Sequence, residues 1–111
     1  MKKENTVKSH RDFDNIIRRG RSFKSAHFAA YVLPSELGHA RIGISVGKKN
    51  GHAVKRVLIK RQVRAMVAKA ELLPYPDDFI LVIRPSYDPN CYGLLEEELL
   101  TLLDQVKEQI H

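Results

Sequence analysis

Residues 41–64 read RIGISVGKKNGHAVKRVLIKRQVR, and the fold turns on how this stretch divides. The first six residues alternate. Ile42, Ile44 and Val46 share one face, while Gly43 and Ser45 leave the other low and open, which is the period of a half-buried strand. Gly47 to Gly51 forms a basic loop, and from about His52 to Ala70 the period becomes helical. At about 100° per residue, Ile59, Val63, Met66 and Ala70 gather on one side and Arg56, Lys60, Arg61 and Arg64 on the other. The stretch therefore predicts a strand, a short cationic loop, and a helix with one core face and one basic face.

The basic face is unusual in what it lacks. Residues 48–64 carry Lys48, Lys49, Lys55, Arg56, Lys60, Arg61 and Arg64, and no acid occurs between Glu36 and Glu71. A solvated helix ordinarily interleaves Glu with Lys, because pairs four residues apart stabilise it. Unrelieved cations repel one another, and phosphates are the simplest external charges to offset that. An ordinary solvated face is the competing account.

Outward from this stretch the pattern continues. Pro74 and Pro76 precede FILVIR at residues 79–84, apolar at almost every position, which predicts a central strand covered on both faces. After a loop at residues 85–90, Tyr92 to Ile110 reads as a helix with a stripe of Leu95, Leu99, Leu102, Val106 and Ile110, Leu103 beside it. Glu96, Glu97 and Glu98 are placed near its start, where the macrodipole favours negative charge, and Asp77 and Asp78 read as turn residues. Upstream, residues 27–33 (HFAAYVL) read as a strand, with Phe28, Ala30 and Val32 on one face and Ala29, Tyr31 and Leu33 on the other. The turn at residues 34–38 is short enough to predict an antiparallel pair with the strand at 41–46. Residues 9–19 read as a helix capped by Ser9, with Asp12 completing a capping-box pattern and Gly20 as the stop; Phe13, Ile16 and Ile17 share a face. The order helix, strand, strand, helix, strand, helix is a small α/β layer of helices packed on a sheet. If the strands at 41–46 and 79–84 are adjacent and parallel, the default crossover between them is right-handed.

The chain has 111 residues, 43% of them apolar, and reads as one compact domain over residues 1–111. Its net charge is +6, unevenly spread: residues 1–70 hold 17 Lys/Arg against 4 acids, and residues 71–111 hold 2 against 9. A polyanion site belongs in the first two thirds, with the acidic third turned elsewhere. A single cysteine, Cys91, fits a reducing cytoplasm. No apolar run reaches the ~20 residues of a membrane span, and the polar, basic start shows no secretory signal. His10, His27, His39, His52 and His111 show no metal-ligand spacing. No pair of carboxylates suits a two-metal nuclease.

Residues 41–64 resemble the signature of the bacterial ribonuclease P protein family. There a strand of type R-x-G-[IL]-S-V runs into K-K-x-G-x-A-V and then R-N-x-x-K-R-x-x-R. This chain supplies Arg41, Gly43, Ile44, Ser45, Val46, Lys48, Lys49, Gly51, Ala53, Val54, Arg56, Lys60, Arg61 and Arg64. Phe13, Gly20, Ser22, Phe28 and Tyr31 match upstream, and FILVIR with the leucine-rich helix fits downstream, so the similarity covers nearly the whole chain. The family's asparagine is Val57 here, and Ala65 replaces its usual acidic or amide residue. On the helical wheel Val57 falls within the basic face, so one polar interaction with the RNA is removed or replaced.

The resemblance implies an α+β two-layer sandwich like ribosomal protein S5 domain 2, with a small mixed sheet and a left-handed crossover through the basic helix. It also implies that the RNA subunit carries the catalysis, with no catalytic residue in the protein, and that magnesium enters with that RNA. The implied partners are ribonuclease P RNA and precursor tRNA, with no membrane and no obligate protein partner. Lys48, Lys49, Lys55, Arg56, Lys60, Arg61 and Arg64 would dock on the catalytic RNA. Phe13, Ile17, Tyr31 and Ser45 would line a cleft for the single-stranded leader of precursor tRNA, where aromatic faces stack on bases without demanding a sequence. Ile17 stands where an aromatic is common. For Phe28, core packing is the better account. A ribosomal protein or ribosome-assembly factor shares the size, charge and α/β pattern, and a DNA-binding protein shares the charge; no helix-turn-helix spacing supports the last.

Overall fold

The computed structural model describes residues 5–7 and 9–110. The polar start of the chain (Met1 to Glu4, with Lys8) and His111 lie outside them. In chain order the elements are α1 (His10–Arg19), β1 (Arg21–Lys24), β2 (Phe28–Pro34), β3 (Arg41–Val46), α2 (Ala53–Lys69), β4 (Asp77–Ile83) and α3 (Tyr92–Ile110). One-turn 3-10 helices at Lys48–Asn50 and Pro89–Cys91 lead into α2 and α3.

The four strands lie in the order β1-β2-β4-β3. β4 is central, as its apolar sequence predicts. Its position overturns the expected pairing of the strands at 27–33 and 41–46: β2 and β3 do not touch, because β4 lies between them. It is antiparallel to β2 (Tyr31 opposite Ile80) and parallel to β3 (Gly43 opposite Ile80). A hairpin of β2 with β3 would leave Phe79–Ile83 on an open edge, whereas insertion gives its backbone a partner on each side. Nothing in the sequence pattern predicts β1. Its sequence, RSFK, offers a single apolar residue, and it forms by pairing antiparallel with β2 (Ser22 opposite Tyr31).

α2 and α3 cover one face of the sheet, over Phe28, Ala30, Val32, Ile42, Phe79, Leu81 and Ile83. α2 contributes the predicted Ile59, Val63 and Met66, closed by its cap residue Ala70, and α3 contributes Leu95, Leu99, Leu102, Leu103 and Val106, while Ile110 at the end of its predicted stripe is only partly buried. Each fully buried side chain of this size adds ~1.5–3 kcal/mol of transfer free energy. Phe28 is core, its ring edge-on to Tyr87 at 5.8 Å between centroids. α1 packs on the opposite face in a smaller cluster, Ile16 against Ile80 and Val7, with Phe13, Ile17, Tyr31, Leu33 and Val82 around them.

Three acidic groups serve different ends from those expected. Asp77 and Asp78 are no turn: they open β4, buried at 5% and 4% exposure. Asp78 is the register partner of Arg41 and accepts two hydrogen bonds from its guanidinium. At α1, Ser9 caps by accepting from the Arg11 N–H, but the Asp12 carboxylate turns to Arg41 instead of completing a box. In α3 no acid lies in the first turn. Glu96 pairs with Lys69 of α2, and Glu98 crosses to the β1–β2 connection. There it accepts from Ser25 Oγ at 2.5 Å and from the His27 backbone N–H at 2.8 Å, and its other oxygen meets His27 Nδ1 at 2.6 Å.

Burial alone would raise the Glu98 carboxyl, yet the bonds from Ser25 and His27 outweigh it and hold it below its ordinary 4.5. A carboxylate lowered on folding stabilises above its unfolded pKa, and that stabilisation is lost as pH falls through the folded value. Thermal midpoints taken from about pH 6 to about pH 3 should therefore show wild type losing stability faster than Glu98→Gln once the pH drops below the ordinary glutamate range. Parallel curves would mean that the charge of Glu98 contributes nothing.

Candidate nucleic-acid interface

The cationic loop is held by a side chain that no sequence pattern singles out. Asn50, only 3% exposed, donates through Nδ2 to the carbonyls of Gly47 and Ile83, both at 3.2 Å, which ties the loop to the end of β4. Gly51 follows at φ 119°, ψ −164°, a backbone conformation that costs any other residue heavily, and it turns the chain into α2. Lys48 and Lys49 are exposed on this loop, as are Lys55, Arg61 and Arg64 on α2; Arg56 and Lys60 are half-buried. Among the described residues none of these seven cations forms an ion pair. Arg56 Nε is shielded from solvent and has no acceptor there. Within the basic face lies an apolar patch, with Val54, Val57 and Leu58 exposed at 84%, 57% and 42%. Val57 thus lies on the outer surface, where the helical wheel placed it.

Beside α2 is a cleft between α1 and the edge strand β3. Phe13 divides it into two hollows of about 340 and 210 Å³. Both are bounded by Phe13, Ile44 and Lys60. The larger adds His10, Asp14, Ile17 and Ser45; the smaller adds Thr6, Gly43 and Arg64. The cleft exists because β3 carries almost nothing on this face. A Cβ on Gly43 would fall 2.6 Å from Phe13 Cζ and 2.7 Å from Ile80 Cδ1. The missing side chain is what lets the ring settle against the sheet.

Of the four residues expected to share this cleft, the structure brings Phe13, Ile17 and Ser45 together. Tyr31 is on the same sheet face but lies on β2, on the far side of β4, half-buried in the cluster under α1, and lines neither hollow. Lys60 and Arg64, expected on the outer basic face, line the cleft wall. The helical wheel orders residues around α2 but does not say which side of that helix meets α1. Among the described residues no three His, Cys, Asp or Glu side chains cluster as metal ligands. None of the described helices is long and apolar enough to cross a membrane.

A mixed four-stranded sheet with a helix whose basic face meets no acid among the described residues, and a cleft between that helix and an aromatic side chain, marks a class of compact basic α/β proteins. Comparison with known proteins narrows the class. The family model described as Ribonuclease P matches residues 1–107. The ribonuclease P protein component of Streptococcus agalactiae serotype Ia is 38% identical over 103 residues, 93% of this chain and 94% of that protein. The solved structure of the Staphylococcus aureus RNase P protein superposes with a TM-score of 0.81 at 31% identity, covering 93% of this chain and 95% of the other. That of Thermotoga maritima gives 0.75 at 26% identity, over 90% and 96%. The chain belongs to the ribonuclease P protein family.

Gly43→Val should destabilise the fold by about 1–3 kcal/mol, because both neighbours of the new side chain are packed groups. Urea unfolding measures this. A loss below about 0.5 kcal/mol would show that the Phe13 ring swings clear at no cost.

Proposed function

We propose that this chain is the RNA-binding subunit of a ribonuclease P holoenzyme in the cytoplasm, and that it helps the catalytic RNA to cut the 5′ leader from precursor tRNA. The observation that carries the reading is the adjacency of two surfaces of complementary chemistry. Seven cations without ion-pair partners among the described residues lie on the loop and α2, and a cleft floored by a glycine and walled by an aromatic ring opens beside them. The first suits a folded RNA, because lysine and arginine neutralise phosphates and the arginine fork grips phosphate oxygens in pairs. The second suits an unpaired strand. Phe13 offers a stacking face worth ~1–3 kcal/mol per base, and every base has a π-face to meet it. That tolerance fits a leader that differs from one tRNA to the next.

Lys60 and Arg64 stand where the two surfaces meet, so one pair of cations serves the RNA scaffold and the leader backbone together. In this reading the protein supplies charge and position. The hydrolytic step belongs to the RNA, whose magnesium supports its folding and the chemistry. Val57, with its apolar neighbours Val54 and Leu58, makes the centre of the docking face less polar than the family pattern, and the surrounding cations carry the attachment.

The test is reconstitution with a bacterial ribonuclease P RNA at low magnesium, where too few cations offset phosphate repulsion for the RNA to work alone. Wild type should restore cleavage of precursor tRNA. Charge reversal at Arg56, Lys60 and Arg64 should abolish the rescue. The slope of log affinity on log salt should fall by about 1 for every phosphate that the protein no longer neutralises. Val57→Asn should leave the rescue intact. Tight RNA binding with no rescue, unchanged by Val57→Asn, would overturn the reading in favour of a ribosomal or ribosome-assembly protein; a preference for duplex DNA at moderate salt would exclude both.

A further inference from the structure

Arg41 belongs to the strand motif at residues 41–46, yet neither the docking face nor the leader cleft gives it a task. Its guanidinium makes three hydrogen bonds to carboxylates. Nε donates to Asp78 Oδ1 at 2.9 Å, and Nη2 donates to Asp78 Oδ2 at 2.8 Å. Nη1 donates to Asp12 Oδ2 at 3.1 Å. The first two stay within the sheet, between register partners on β3 and β4. The third leaves the sheet and takes hold of the first turn of α1. Asp12 immediately precedes Phe13, and the Phe13 ring rests over Gly43, two residues along β3 from Arg41. Guanidinium and ring thus fix the same helical turn to the same strand at adjacent points.

We propose that Arg41 is a positioning residue whose bond to Asp12 sets how far α1 stands off β3, and so the width of the cleft beside Phe13. This assignment rests on the leader reading above. Asp78 already satisfies the guanidinium in a two-pronged pair that is nearly closed to solvent, its side chain 6% exposed. The fold therefore does not need Asp12, whose side chain is 41% exposed and whose ion pair adds little to stability. What Asp12 adds is direction. The remaining contacts of α1 with the sheet are apolar, made by Phe13, Ile16 and Ile17 in the cluster around Ile80 and Val7, and apolar burial is non-directional. A charge-assisted bond fixes one point of the helix, and stacking of a base between Phe13 and the wall at Ile44 and Lys60 depends on that separation.

The experiment compares holoenzymes built with wild type, Asp12→Asn and Asp12→Glu. For each it measures affinity for precursor tRNA carrying its leader and for the same tRNA without it. In Asp12→Asn the thermal midpoint, the affinity for ribonuclease P RNA and the affinity for leaderless tRNA should stay at wild-type values. The extra affinity that the leader provides should fall by roughly threefold or more, raising KM and leaving kcat unchanged, and Asp12→Glu should restore most of it. A leader gain that survives Asp12→Asn overturns the positioning role and leaves the leader reading standing. A loss that tracks a lower thermal midpoint or weaker RNA affinity also overturns it, because the bond would then be merely structural. A wild-type holoenzyme with no leader gain at all removes the leader reading, and the proposal with it.

Discussion

The central strand cannot be exposed at any edge or face. Phe79, Leu81 and Ile83 of β4 are buried under α2 and α3, and Ile80 is buried under α1. Its backbone is taken up by β2 on one side and β3 on the other. Because β3 and β4 run parallel, the chain must travel the full length of the sheet between them, and α2 is the element that does so. The basic helix is therefore where it is because of the apolar strand that follows it. Its core face is drawn onto the sheet by the same burial, and the opposite face has no choice but to carry the cations outward.

Charge is divided along the same line. Three acids of the last third of the chain are taken up inside the protein, while Glu71, Asp88, Glu97, Asp104 and Glu108 stay exposed. Asp78 holds Arg41, Glu98 holds Ser25 and His27, and Glu96 holds Lys69 at the far end of α2. None of them reaches the loop or the middle of α2. A protein with a modest net charge of +6 thereby presents one strongly positive region, because its acids either join elements to one another or lie away from that region.

Elements whose apolar period is strong were legible in the sequence: α2, α3 and β4 stand where their patterns put them, and Val57 faces outward as its angle on the wheel requires. What was not legible depends on contacts between distant segments. β1 has one apolar residue and forms only because β2 offers it an edge. The separation of β2 from β3 depends on a strand that comes later in the chain and outcompetes the hairpin. Asp77, Asp78 and Glu98 look like surface acids until the distant segments that bury or bind them, Arg41, Ser25 and His27 among them, are in place. In the cleft, Phe13, Ile17 and Ser45 were readable from the family pattern. The presence of Lys60 and Arg64 in its wall was not, since a helical wheel has no fixed zero until a neighbour is packed against it.

Asn50 gives the cationic loop a property that its composition hides. A run of glycines and lysines between a strand and a helix would ordinarily sample many conformations, and ordering it on a partner would consume conformational entropy. The buried amide, bonded to Gly47 and to the last residue of β4, moves that entropic cost from association to folding. Lys48 and Lys49 project exposed side chains from a backbone already set, so the loop meets any partner as a template rather than as a tether.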